Sequence, residues 1–168
     1  MTKEKGKLIE ETRLHYIEET GLLLEETGMT RMAGRIFGYL IICDEDAASF
    51  DRIREVLHAS KGSISTNLKQ LIQVGFIEPI SLPRDRKTYY RLSPMNISDI
   101  MKARYGIIRK FVDLFIRGRE LKTREDYVSQ WLLESSSFYS WLEEQTDDMI
   151  NRWERDKHQI IEQMRKKL

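Results

Sequence analysis

The segment that most constrains the fold runs from Ser60 to Gly75, SKGSISTNLKQLIQVG. Its ends carry residues that start and stop a helix, because a serine oxygen can accept a hydrogen bond from a free N–H of the first turn and glycine readily takes a positive φ after the last turn. Apolar residues between them recur at the spacing of one helix face: Ile64, Leu68, Leu71 and Ile72. The segment therefore predicts a helix with one buried side and both ends defined.

The other side of this helix carries short polar groups and no acidic residue. Hydroxyl and amide groups suit close approach to phosphates and base edges of DNA, whereas a solvated helix face usually alternates Glu with Lys. A plain polar surface helix is the alternative that this pattern leaves open. The residues that we expect to contact DNA from this helix are Lys61, Ser63, Ser65, Thr66, Asn67, Lys69, Gln70 and Gln73, with Ser63, Ser65 and Asn67 at phosphates and Thr66, Lys69, Gln70 and Gln73 facing the major groove.

A short helix before this segment and a β-hairpin after it predict a winged helix-turn-helix. Ser49 is placed to cap the short helix, and residues 76–80 and 87–92 have the composition of strands. Pro79 lacks the N–H that a central strand needs, so its strand should lie at the edge of the sheet. The hairpin tip carries Arg84, Arg86 and Lys87, a basic wing suited to the minor groove, although a charged loop on any protein would have the same composition.

Amphipathic helices are expected on both sides of this central part. Residues 8–27 show the apolar spacing of a helix that Gly28 would end, and Thr30 is placed to cap a second helix reaching about Cys43. In that second helix, Gly34 and Gly38 would leave a flat groove for another helix. Both arginines of its first turns, Arg31 and Arg35, could touch phosphates or pair with neighbouring glutamates.

The chain after Pro94 is also expected to be helical. Ser98 is placed to cap a helix to about Arg119, Thr123 with Asp126 resembles a capping box, and a final helix should begin near Trp141. Aromatic residues of this region could form a cage that holds a quaternary ammonium ion by cation–π attraction, or they could belong to a core or a dimer interface. These residues are Tyr127, Trp131, Phe138, Tyr139 and Trp141.

The net charge of +1 conceals an uneven distribution. Residues 49–93 contain eight Lys and Arg against four Asp and Glu, whereas residues 1–48 contain six against ten. A basic centre is where a polyanion such as DNA would bind.

Several other classes of protein are disfavoured. The sequence shows no nucleophile with a base, no phosphate-binding loop and no metal-ligand spacing, so we expect neither an enzyme nor a cofactor or metal site. Cys43 is the single cysteine and is expected to be a buried, inert thiol. No apolar run approaches 20 residues and no signal-peptide pattern occurs, so we expect a cytoplasmic protein without a membrane span.

The segment SFDRIREVLHASKGSISTNLKQLIQVGFIEPISLPRDRKTYYRLSP, residues 49–94, resembles a MarR-type winged helix. The preceding GMTRMAGRIFGYLIIC, residues 28–43, is similar to the GbsR-like branch of that superfamily. The resemblance implies a homodimer whose N- and C-terminal helices interdigitate, binding a pseudo-palindromic operator, usually as a repressor. Some members of the branch are similar to regulators of choline uptake or glycine betaine synthesis, which implies a small quaternary ammonium effector.

The sequence departs from the MarR pattern in the wing and before the second helix. Asp85, Arg86 and Lys87 stand where MarR wings commonly carry Asp-x-Arg, and lysine lacks the bidentate fork of arginine. Thr30 precedes Arg31 where related sequences tend to have proline.

We therefore expect a mainly α fold with a small β-hairpin wing, in which a winged helix-turn-helix is flanked by dimerisation helices. Residues 1–28 would form an N-terminal dimerisation helix, residues 29–94 the DNA-binding domain, and residues 95–168 a C-terminal helical region for dimerisation and effector binding. The expected function is sequence-specific binding of double-stranded DNA by a dimeric transcriptional regulator. The alternative is a winged-helix protein-interaction module without specific DNA binding.

Overall fold

The computed structural model describes residues 2–94 and 97–168, with the side chains of residues 2–5 and 104 left outside the description. The chain divides into two units, residues 1–94 and 95–168. The first contains α1 (Thr2–Glu26), α2 (Arg31–Ile42), β1 (Ala48–Ser49), α3 (Phe50–Val56), α4 (Lys61–Gln73), β2 (Ile77–Ser81) and β3 (Thr88–Leu92), and the second contains α5 (Ile97–Glu120) and α6 (Tyr127–Arg165).

Helix ends in the first unit lie where the capping residues predicted them. The hydroxyl oxygens of Thr30, Ser49 and Ser60 accept hydrogen bonds from the backbone N–H three residues later, at the starts of α2, α3 and α4. Gly28 and Gly75 follow α1 and α4 with φ of 85° and 78°. These positive φ values are readily adopted only by glycine, so both stops are local properties of the sequence.

α1 and α2 pack with their backbones in unusually close approach. A Cβ added at Gly34 would lie 2.7 Å from both the Gly21 Cα and the Thr20 carbonyl oxygen, and one at Gly38 would lie 2.9 Å from the Thr20 Cβ. The groove predicted from Gly34 and Gly38 is therefore occupied by α1 of the same chain. Ile17 and Leu24 of α1 are buried against α2, whereas Leu23 and several other apolar residues of α1 stay exposed.

The core of the first unit lies between α2, α3, α4 and the sheet. Fully buried side chains from each of these elements meet there: Ile36, Ile53, Leu57, Ile64, Leu68, Leu71 and Ile77. Phe37 of α2 stacks on Phe76, which precedes β2, with ring centroids 5.1 Å apart. The core therefore holds α4 and the hairpin against α2.

The sheet has three antiparallel strands in the order β1-β3-β2, so β2 is an edge strand. Pro79 lies in β2, as its missing N–H predicted, opposite Tyr90 of β3. The third strand, β1, was not predicted from the sequence. Two residues that pair with Tyr89 and Tyr90 are too few to leave a strand pattern in the sequence.

The second unit differs from its sequence prediction at three helix boundaries. Ser98 lies inside α5 and its hydroxyl donates to the Glu154 carboxylate, so it is not the predicted cap. Asp126, not Thr123, caps α6 by accepting from the Ser129 N–H at 2.9 Å. No new helix begins near Trp141, because α6 is continuous over 39 residues.

Serine residues inside α6 do not interrupt it because their hydroxyls are bonded locally. The hydroxyls of Ser136 and Ser137 donate to the Leu133 carbonyl oxygen at 3.0 and 2.8 Å.

The buried apolar side chains of the second unit come from both of its helices: Ile100, Ile108 and Val112 of α5 and Ile150 of α6. None of the helices in the described parts of the chain combines the length and the apolar character that crossing a membrane would require.

Candidate nucleic-acid interface

α4 exposes a polar face that contains three of the four residues predicted to face a major groove. Thr66, Lys69 and Gln73 are exposed, and Gln70 is half-buried. Of the other predicted contacts on α4, Lys61 is exposed and Ser63 and Ser65 are half-buried. The exposed side chains of this face are available to a ligand.

Asn67 is the exception, and its predicted place at phosphates is corrected. Its side chain is only 6% exposed. Its amide nitrogen donates to the Ser63 carbonyl oxygen at 2.7 Å, and its amide oxygen accepts from the Thr30 hydroxyl at the start of α2. At about 100° per residue, Asn67 lies roughly 60° from Ile64 and 40° from Leu71, so its angular position already indicated the buried side.

The wing is ordered by Asp85 instead of by an Asp–Arg pair. The Asp85 carboxylate accepts from the Lys87 N–H at 2.9 Å and from the Tyr89 hydroxyl at 2.7 Å. The hydrogen bonds from Lys87 and Tyr89 hold the pKa of the Asp85 carboxyl below its usual value. The sequence did not point to Tyr89, because Tyr89 lies in β3, four positions after Asp85, and the hydrogen bond between them depends on how the hairpin folds.

The three basic residues of the wing are all exposed. Arg84 adopts a φ of 66°, which is uncommon for a residue with a Cβ and places it in a tight turn at the tip. Across the sheet behind them, Arg91 and Glu78 form an ion pair at 2.6 Å. The wing therefore presents Arg84, Arg86 and Lys87 to solvent, while Arg91 is neutralised.

Ion pairing separates the cations of residues 6–94 into two groups. Seven of them form an ion pair with a carboxylate: Lys7, Arg13, Arg31, Arg35, Arg52, Arg54 and Arg91. The five that form none within the described part of the chain are Lys61, Lys69, Arg84, Arg86 and Lys87, all on α4 or the wing. α4 and the wing are neighbouring elements, and their cations are exposed and have no carboxylate partner among the described residues. Such a group of cations can bind a polyanion.

Arg31 and Arg35 pair with a glutamate, which is one of the two roles that the sequence left open for them. Both pair with Glu18 of α1, at 3.2 and 2.7 Å. They therefore help to hold α2 against α1, alongside the close contact of Gly21 with Gly34.

The five aromatic residues predicted to form a cage do not surround one common space. Trp131 and Tyr139 pack on Phe115 of α5 with ring centroids 5.2 and 5.9 Å apart, and Phe138 contacts Tyr139 at 5.7 Å. Trp141 lies 6.1 Å from Phe138. Tyr127 is 82% exposed and makes no ring contact within the described residues. Packing between α5 and α6 accounts for Trp131 and Tyr139.

Cys43 is half-buried, and its thiol donates to the Glu45 carbonyl oxygen at 3.1 Å. Burial raises the pKa of this thiol, which lowers the fraction of reactive thiolate. Within residues 2–94 and 97–168, no group of three or more His, Cys, Asp or Glu side chains could hold a metal ion.

The chain is similar to known regulators along most of its length. It is 33% identical over 141 residues to the HTH-type transcriptional regulator MmpR5 of Mycobacterium tuberculosis, covering 83% of this chain and 86% of that protein. The chain belongs to the family of helix-turn-helix transcriptional regulators. No protein-family model matches it.

A solved structure supports this family assignment. A crystal structure of a transcriptional regulator superimposes with a TM-score of 0.75 at 32% identity, covering 86% of this chain and 99% of that one. These relatives are regulators and not enzymes, in agreement with the sequence prediction. The winged helix between flanking helices is confirmed, whereas membership of the GbsR-like branch stays a prediction.

Proposed function

We propose that this regulator binds double-stranded DNA as a homodimer at a pseudo-palindromic operator and represses transcription there. α4 would enter the major groove, and the wing would lie along the adjacent minor groove. The observation that carries the proposal is the confinement of the unpaired cations of residues 6–94 to α4 and the wing.

Within this arrangement the polar side chains of α4 and of the wing would have two roles, contact with bases and contact with phosphates. Lys69 can donate to guanine O6 and N7, and Gln70 and Gln73 can pair with adenine N6 and N7. Lys61, Arg84, Arg86 and Lys87 would neutralise phosphates, so they would contribute affinity without strong sequence preference.

A homodimer is supported by apolar side chains that the single chain leaves exposed on its flanking helices. Leu23 of α1 is 60% exposed, Ile107 of α5 54% and Met164 of α6 55%. Large exposed apolar surfaces on a soluble protein are typical of interfaces. A two-fold dimer would place two copies of α4 about 34 Å apart, one turn of B-DNA.

The expected effector is a small quaternary ammonium ion. A choline-like or betaine-like cation would require aromatic faces around one space. The ring of Phe138 contacts those of Tyr139 and Trp141, but Tyr127 is 82% exposed and makes no ring contact within the described residues. The effector prediction therefore depends on the GbsR-like resemblance and not on the geometry of these rings.

Selection of bound sequences from random DNA, followed by titration of the selected operator, tests the proposal. We expect Lys69→Ala to weaken operator binding by roughly 1 to 3 kcal/mol, because a base contact is lost. Arg86→Ala should lower the slope of log affinity against log salt by about 1, because one phosphate contact is lost. Lys110→Ala, which removes an exposed lysine of α5, is the matched control and should bind as the wild type does.

Two results would contradict the proposal. Unchanged operator binding by Lys69→Ala at moderate salt would contradict the placement of α4 in the major groove. Failure of the wild-type protein to bind any DNA at low salt would favour the protein-interaction module instead.

A further inference from the structure

The side chains of Thr30 and Asn67 form a hydrogen-bonded link between α2 and the recognition helix α4. The Thr30 hydroxyl oxygen accepts from the Ala33 N–H at 3.1 Å, and the hydroxyl donates to the Asn67 amide oxygen. The Asn67 amide nitrogen then donates to the Ser63 carbonyl oxygen in the first turn of α4, at 2.7 Å. Each of the two side chains thus donates once and accepts once.

From this link we infer that Asn67 and Thr30 are positioning residues for DNA recognition: they set the orientation of α4 on α2 and do not themselves read the operator. This inference rests on the proposed function, because it assigns a role within the same DNA-binding surface. It also explains why Asn67 is buried although the other predicted DNA contacts on α4 are exposed or half-buried.

The chemistry of the link restricts what can replace its members. An aspartate at position 67 would keep the acceptor for Thr30 but would place a second acceptor against the Ser63 carbonyl oxygen. A valine at position 30 has the shape of threonine but would leave the oxygen of the buried Asn67 without its donor and the Ala33 N–H at the start of α2 without its acceptor, and each loss costs free energy. Serine at position 30 would keep the hydroxyl and therefore the link.

The link between Thr30 and Asn67 is placed where it can fix the rotation of α4 on α2. Ile64, Leu68 and Leu71 anchor α4 in the core but are apolar contacts without directional preference. The hydrogen bonds of Asn67 are directional and fix the rotation of α4 about its own axis. On the α2 side, Thr30 is at the end of a helix that Gly34 and Arg35 hold closely against α1.

The rotation of α4 matters more for base contacts than for phosphate contacts. Base recognition depends on hydrogen bonds of defined geometry, whereas phosphate attraction tolerates small displacements. Loss of the link should therefore lower affinity for the selected operator and leave affinity for random DNA, and its salt slope, unchanged.

The test measures operator and random-DNA affinities for Thr30→Val, Asn67→Ala and the double variant, at a temperature well below the melting point of each. We expect each single variant to lose about tenfold in operator affinity, because each breaks the hydrogen bond between Thr30 and Asn67. The double variant should lose no more than either single variant, because both substitutions break the same link.

Two control variants separate positioning from loss of fold. Thr30→Ser keeps the hydroxyl and should bind the operator as the wild type does. Thr20→Val makes the same change at a buried threonine of α1, whose hydroxyl donates only within its own helix, to the Tyr16 carbonyl oxygen at 2.8 Å, and it should also leave operator affinity unchanged.

Each remaining outcome has a defined meaning. Wild-type affinity of Thr30→Val, additive losses in the double variant, or equal losses on operator and random DNA would each overturn the inference. If Lys69→Ala weakens binding and Thr30→Val does not, the proposed function survives and this inference alone fails. If the wild-type protein binds no DNA, both fail together.

Discussion

At the scale of single residues, Asp126 shows how one carboxylate can define a helix start. Its oxygens accept from the Ser129 N–H at 2.9 Å and from the Lys122 ammonium at 2.6 Å. The hydrogen bond from Lys122 and those from Ser129 lower the pKa of Asp126 to about 2 from its usual 3.8. Because the folded protein depresses this pKa, the contribution to stability is present above pH 3.8 and is lost as the pH falls towards 2.

We expect Asp126→Asn to weaken this part of the acid dependence of stability. Asparagine is also a good N-cap, so the hydrogen bond to the Ser129 N–H can be kept while the titrating charge is removed. Denaturant unfolding of the second unit, followed by tryptophan fluorescence at pH 6 and pH 2.5, should show a smaller loss of stability in the variant than in the wild type. Asp148→Asn, at an exposed position of α6, is the control; an equal loss in Asp126→Asn and wild type would contradict the assignment.

The helix caps of the first unit were predicted correctly from the sequence, whereas the predicted caps Ser98 and Thr123 of the second unit were wrong. Thr30, Ser49 and Ser60 bond to N–H groups only three residues away, so the information lies within one turn. The helical spacing indicated the burial of Asn67 but not its partner, because Thr30 is 37 positions away in the sequence. Residue roles that depend on distant partners need the fold before they can be assigned.

At the scale of elements, the contact between α1 and α2 depends on glycine at defined positions. Gly34 faces the Gly21 backbone so closely that a methyl group has no room unless one helix moves. Backbone atoms cannot rotate away as a flexible side chain can, so the two helices would have to separate.

We expect Gly34→Ala to lower the free energy of unfolding by roughly 1 to 3 kcal/mol, since overpacking outweighs the better helix propensity of alanine. The matched control is Gly62→Ala in α4, where an added Cβ would meet no heavy atom within 4 Å. That variant should gain up to about 1 kcal/mol from helix propensity. Thermal and urea unfolding of both variants would measure the contrast, and equal stability of Gly34→Ala and wild type would show that α1 and α2 can separate at no cost.

The elements themselves were predicted to different degrees. The helix-turn-helix and hairpin were recoverable because each has capping residues, apolar spacing or turn residues within a few positions. β1 was missed because its two residues form a strand only by pairing with β3. The continuity of α6 was missed because a final helix was expected to begin near Trp141, whereas α6 runs through that position and the hydroxyls of Ser136 and Ser137 bond to the preceding turn within it.

At the scale of the whole molecule, the distribution of charge was visible in the sequence but its meaning depended on pairing. Residues 49–93 have an excess of four cationic residues, and the structure shows that Arg52, Arg54 and Arg91 within them are neutralised by carboxylates. The cations that remain unpaired are those of α4 and the wing. Net charge alone could not have separated these two groups.

The proposed dimer has a direct test in solution. We expect Leu23→Glu in α1 to shift the protein from dimer to monomer, because it places a charge on an exposed apolar side chain of a flanking helix. Glu11→Gln, at an exposed polar position of the same helix, should leave the dimer intact. Sedimentation over a range of concentrations would measure both, and a wild-type protein that is monomeric at every concentration would refute the homodimer.

The length of α6 has a consequence for how its end survives in a cell. Its 39 residues extend about 58 Å, whereas the 24 residues of α5 extend about 36 Å, and every residue from 158 to 168 is exposed. A free helical end of this length is marginal in water and opens readily. In a lone chain it would be an early substrate for proteases, and a partner that covered it would also decide how long the protein persists.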